Sequence, residues 1–94
     1  YYSVHGPYVT IRNTTNGLPL VYRTPCIDVT VKLVMTNTAS IGPYRGAGRE
    51  AAALVMERLV DAAARETGRD PVALRRQNMI PASAMPYRSP SGRL

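Results

Sequence analysis

Apolar and polar positions along the chain change their period twice. Between Cys26 and Thr36, Val29, Val31, Leu33 and Met35 alternate with Asp28, Thr30, Lys32 and Val34. That period of two predicts a strand with one face turned to a core. Thr30 and Lys32 on its other face suit an antiparallel or mixed sheet. From Arg49 to Thr67 the spacing becomes three and four. Ala52, Val55, Met56, Leu59, Val60, Ala62 and Ala63 form the apolar stripe of an amphipathic helix, and Gly68 follows where a left-handed cap is wanted. Asp70 as N-cap and Pro71 at the first helical position predict a second helix to about Ile80, ended by Pro81.

The remaining segments are less regular. Gly6-Pro7, Asn16-Gly17 and Leu18-Pro19 are turn signals, so residues 1–24 are expected to hold short strands separated by loops, with Asn13-Thr14-Thr15 as a polar turn. The expected organisation is strands over about 1–36, a loop over 37–48, helices over about 49–67 and 71–80, and an irregular tail over 81–94. This is an α+β arrangement. A first residue Tyr1 that opens directly into extended sequence, and a proline-rich end from Met85 to Leu94, predict truncation at both ends.

In a chain of 94 residues a core would be small, and a single cysteine, Cys26, and a single histidine, His5, supply neither a disulfide nor a metal site. Cys26 reads as a packed thiol. Twelve basic residues against six acidic give a net charge of +6, which attracts polyanions. The arginines are scattered, however, with Arg75-Arg76 the only adjacent pair. Dispersed charge of this kind argues against nucleic acid and for a solvated surface or an anion-lined interface. No signal peptide or membrane span is legible, and the composition suits a reducing cytoplasm.

The candidate chemistry lies in Gly42-Pro43-Tyr44-Arg45-Gly46-Ala47-Gly48-Arg49, between the predicted strand and helix. Glycines let backbone N–H groups approach a bound group, and a helix N-terminus favours an anion. Arg45 and Arg49 add planar donor forks suited to oxo, carboxylate or phosphate groups. A nucleotide P-loop would end Gly-Lys-Ser or Gly-Lys-Thr, and this loop ends Gly48-Arg49-Glu50. The dinucleotide fingerprint fails as well, because the strand lies too far upstream for its tight turn. Two readings remain open on residues alone: a stand-alone basic module using the loop as an anion- or nucleic-acid-binding site, and a glycine-rich connection with surface arginines.

Three longer strings carry a resemblance: residues 36–49; Met56-Glu57-Arg58-Leu59-Val60-Asp61-Ala62-Ala63-Ala64; and Gly68-Arg69-Asp70-Pro71 with Arg75-Arg76-Gln77-Asn78-Met79-Ile80-Pro81. Gly6-Pro7-Tyr8 and Tyr22-Arg23-Thr24-Pro25 precede them, and residues 86–92 follow. In this order they resemble the molybdopterin-binding large subunit of the xanthine dehydrogenase, aldehyde oxidase and carbon monoxide dehydrogenase family. The resemblance implies a molybdenum–molybdopterin cofactor, as the cytosine dinucleotide in bacterial members, contacted by Tyr44, Arg45, Gly46, Ala47 and Gly48. Arg45 would reach toward the oxygen ligands or the substrate, and Ala47 would line the pocket wall. The activity implied is hydroxylation of an aldehyde, an N-heterocycle or a carbon monoxide-like small substrate with water as the oxygen source. Partners would be an FAD-binding medium subunit and a 2Fe-2S small subunit, assembled as a dimer of heterotrimers.

Departures from the family pattern sharpen the picture. Copper-containing carbon monoxide dehydrogenases carry a cysteine after the loop arginine, where this chain has Gly46. The string is instead similar to the copper-free (form II) group of large subunits. Xanthine-oxidising members tend to place an aromatic residue where Ala47 stands. Many members read Pro-Glu after the last loop arginine, and this chain reads Glu50-Ala51. Asp28, Glu50, Glu57, Asp61, Glu66 and Asp70 all read as structural, so the catalytic base would lie outside these 94 residues.

Overall fold

The computed structural model describes residues 6–92. Its elements are α1 (Gly6–Gly17), α2 (Arg49–Thr67), α3 (Pro71–Asn78) and a single 3-10 turn at Ala82–Ala84. His5 and the opening residues 1–5 lie outside the described residues.

Helix α1 corrects the expectation of short strands. Val9, Thr10, Ile11, Thr14 and Thr15 are β-branched and locally favour extended structure, yet they lie in a helix. Two influences reverse the local preference. The Thr14 and Thr15 hydroxyls lie within hydrogen-bonding distance, 2.9 and 3.0 Å, of the carbonyls of Thr10 and Ile11 four residues earlier, so the side chains find partners within the helix. Packing against α2 supplies the rest. The turn signals mark the ends of the helix: Pro7 occupies the first turn, where a missing N–H is harmless, and Asn16-Gly17 closes it. Asn13-Thr14-Thr15 is therefore helical and not a turn.

The strand expected between Cys26 and Thr36 is also absent. Among the described residues the sole β pairing is an isolated antiparallel bridge between Tyr22 and Met79. A strand needs a neighbour to accept its N–H groups, and this segment has none, so Val29, Val31, Leu33, Val34 and Met35 are exposed, Val34 at 77%. Cys26 is likewise an exposed free thiol and not a packed one.

The core is small because the helices meet through small residues. A Cβ added at Gly17 would lie 3.3 Å from the Cβ of Ala52, which is fully buried on α2. Leu18, Pro19, Tyr22 and Ala64 are the other buried side chains of the core. Helix α2 ends at Gly68, whose left-handed backbone lets the Gly68 and Arg69 N–H groups close on the carbonyls of Arg65 and Ala64. Asp70 then starts α3 by accepting from the Ala73 N–H at 2.7 Å.

Polar side chains secure what the apolar contacts leave loose. Residues 21–23 run beside the end of α3, with Arg23 N–H donating to Asn78 and Ile80 N–H donating to Val21. From this segment the Tyr22 hydroxyl donates to Glu57 on α2 at 2.7 Å. Arg75 on α3 reaches Glu57 with Nε at 2.7 Å and Asp61 with a terminal nitrogen at 2.8 Å. Hydrogen bonds from Tyr22 and then Arg75 hold the Glu57 carboxyl below its ordinary pKa, and Arg75 does the same for Asp61. Burial, reinforced by Glu57, pushes the Tyr22 hydroxyl up, so it remains a donor.

A carboxyl with a depressed folded-state pKa contributes stability above its unfolded pKa and loses it as pH falls. Helical circular dichroism is therefore expected to be steady at neutral pH and to fall as pH drops through and below the ordinary carboxylate range of about 4, because both carboxyls are held below it in the fold. Arg75→Met should move that acid transition to higher pH. Tyr22→Phe should lower stability in urea by about 1 kcal/mol.

Candidate functional site

The glycine-rich segment folds as a tight projection on the N-terminal end of α2. Ala47 N–H donates to Tyr44 at 2.7 Å, and Arg49 N–H donates to Gly46 at 3.1 Å. Three successive residues have positive φ: Gly46 at 96°, Ala47 at 48° and Gly48 at 100°. Glycine suits the first and third because the conformation itself disfavours a side chain. Space forbids one too: a Cβ on Gly46 would strike the Glu50 carboxylate, and one on Gly48 would strike the Thr10 carbonyl and the Thr14 hydroxyl.

These contacts place the loop on two supports. From α1, the Thr14 hydroxyl lies 2.9 Å from the carbonyl of Gly48 and 2.9 Å from that of Thr10, so its one proton is shared between them. From the first turn of α2, both Glu50 carboxylate oxygens accept from the Gly48 N–H at 3.1 Å. Gly48 is buried as a result, Ala47 is half-buried, and Gly46, Arg45 and Tyr44 are exposed, Tyr44 at 85%.

The electrostatics favour an anion. Arg45 and Arg49 make no ion pair among the described residues, where both salt bridges belong to Arg75. Glu50, the nearest carboxylate in sequence, is turned onto a backbone amide. Two unneutralised guanidinium groups and a helix N-terminus thus share one end of α2. Among the described residues no three His, Cys, Asp or Glu side chains gather as a metal site. A separate apolar cleft of about 540 Å³, lined by residues including Leu18, Leu20, Val21, Ile80 and Met85, shares no residue with the loop.

Tyr44, Arg45, Gly46, Ala47 and Gly48 therefore lie together in one turn; of the residues that hold it, Thr14 was not singled out from sequence, and Glu50 was read there only as structural. Thr10 and Thr14 stand one helical turn apart, a signal concealed while residues 1–24 read as strands. Glu50 is the sort of first-turn acid that reads as a generic helix feature.

Residues 1–79 match the family model of the molybdopterin cofactor-binding domain. The chain belongs to that family. Over 66 residues it is 36% identical to the 6-hydroxypseudooxynicotine dehydrogenase complex subunit gamma of Paenarthrobacter nicotinovorans, an alignment that covers 70% of this chain and 8% of the relative. The chain thus spans a small fraction of the length of that curated relative. No solved structure matches it. None of the helices among the described residues is long and apolar enough to cross a membrane.

Gly48→Ala is expected to destabilise the chain by about 1–3 kcal/mol, because it adds backbone strain and meets α1. Gly42→Ala serves as its control. Nothing lies within 4 Å of a Cβ at that position, so the midpoint of urea unfolding should shift by less than about 0.5 kcal/mol.

Proposed function

We propose that this chain is part of the catalytic large subunit of a molybdenum hydroxylase, with the turn from Tyr44 to Gly48 facing the molybdopterin. The observation that carries this reading is an exposed guanidinium, Arg45, beside a left-handed turn and in no ion pair among the described residues. Arg45 and Arg49 suit the phosphate and oxygen groups of a pterin cofactor, and Gly46 leaves the approach to the turn clear of side chains other than Glu50. Ala47, half-buried behind them, would form a small wall without an aromatic ring to stack on a purine.

When bound, the cofactor supplies a two-electron oxidation of carbon with water as the oxygen source. The role of this chain is electrostatic: a fixed cation stabilises negative charge as it develops near the metal's oxygen atoms or on the substrate. The base is a glutamate elsewhere in the subunit. Electrons would leave through 2Fe-2S centres and FAD on partner subunits, consistent with a relative that is one subunit of a dehydrogenase complex. That relative's name directs a substrate search first to nicotine-like N-heterocycles. With Gly46 where a copper-binding cysteine would stand, the copper-free form II group fits better than copper-dependent carbon monoxide oxidation.

The same reading accounts for the apolar alternation of residues 27–36. In the complete subunit this segment would form a strand of a sheet, paired with strands supplied by the rest of the polypeptide, giving the α+β class.

In the intact enzyme, Arg45→Ala should retain molybdenum and lower kcat by about a hundredfold or more. Metal analysis should find molybdenum without copper. Unchanged turnover in a fully loaded Arg45→Ala enzyme would overturn the assignment.

A further inference from the structure

Three consecutive positive-φ residues form a turn whose own backbone bonds, Ala47 N–H to Tyr44 and Arg49 N–H to Gly46, leave it tied to no other element. Left to itself, such a turn would swing about Gly46 and Gly48 and carry Arg45 with it. What restrains it in this structure is a hold on both backbone groups of one residue. The Gly48 carbonyl accepts from the Ala52 N–H within α2 and lies 2.9 Å from the Thr14 hydroxyl on α1. The Gly48 N–H donates to both oxygens of Glu50 at 3.1 Å. A hydrogen bond to a charged acceptor is roughly twice as strong as a neutral one. The same carboxylate also rests against Gly46, in the space a side chain would take.

The choice of acceptor matters. Glu50 stands in sequence next to Arg49 and close to Arg45, yet it forms no ion pair with either among the described residues. Its charge is spent on the turn's backbone, so the turn is stiffened while both guanidinium groups stay available. We infer that Glu50 is a positioning residue: by fixing the Gly48 amide to the first turn of α2 and filling the space beside Gly46, it sets where Arg45 is presented. The inference rests on the cofactor-facing reading of the turn. Its functional consequence follows from geometry, because displacement of a catalytic charge by about 1 Å reduces rate by about a hundredfold.

The test uses the intact, molybdenum-loaded enzyme with Glu50→Ala, Glu50→Gln and Arg45→Ala compared in parallel. Glu50→Ala should leave molybdenum content unchanged and speed amide hydrogen exchange in the peptide covering residues 44–50 by about tenfold or more. It should alter the Mo(V) electron paramagnetic resonance spectrum, and lower kcat about ten- to a hundredfold with little change in KM. Glu50→Gln keeps an acceptor oxygen of the same reach and should restore most of the turnover and the native exchange. A Glu50→Ala enzyme with native kcat and native Mo(V) spectrum, beside an Arg45→Ala enzyme that has lost turnover, overturns the positioning role alone. If Arg45→Ala is silent as well, the cofactor-facing reading fails and takes this inference with it.

Discussion

The close contact of α1 with Gly48 is the constraint from which the rest of the arrangement follows. A helix can pass so near the start of α2 because Gly48 has no side chain, and the Thr14 hydroxyl turns that proximity into a bond to the Gly48 carbonyl. Further along, Gly17 meets the fully buried Ala52 in the same way. Small residues thus fix the separation and crossing of the two helices, and the crossing fixes where the turn from Tyr44 to Gly48 emerges. Any bulk at these points would separate the helices and release the turn.

Close packing of small residues buries little apolar area, so the described core is a short set: Leu18, Pro19, Tyr22, Ala52 and Ala64. The link between Tyr22, Glu57, Arg75 and Asp61 compensates by joining three segments through charged hydrogen bonds. Half-exposed ion pairs individually contribute modestly. Here one guanidinium bridges two carboxylates one helical turn apart, and a buried hydroxyl occupies the remaining side of Glu57. The network ties α3 to α2.

That separation of charge is the functional theme. Glu57 and Asp61 on the later turns of α2 are held by Arg75, and Glu50 is held by a backbone amide. Arg45 and Arg49 consequently stand exposed without an ion-pair partner among the described residues, next to a helix N-terminus. Under the proposed function this arrangement is the cofactor-facing surface of the subunit, and the chain's membership of the molybdopterin cofactor-binding domain family supports that reading. The exposed apolar side chains between Val29 and Met35 have the same origin, since a strand pattern without a neighbouring strand has nowhere to bury its face.

The sequence by itself determined features that depend on neighbours along the chain: Asp70 capping α3, the left-handed stop at Gly68, and the glycines of the positive-φ turn. It also carried the ordered motifs by which the family resemblance was legible. Tertiary structure decided the rest. Residues 6–17 became helical against their β-branched preference because α2 offered a surface and the threonine hydroxyls found partners inside the helix. Residues 27–36 stayed unpaired because no second strand lies within reach. Thr14 acquired its hold on Gly48 only when α1 was brought beside α2, since a hydrogen bond between residues 34 positions apart exists only after folding has closed that distance.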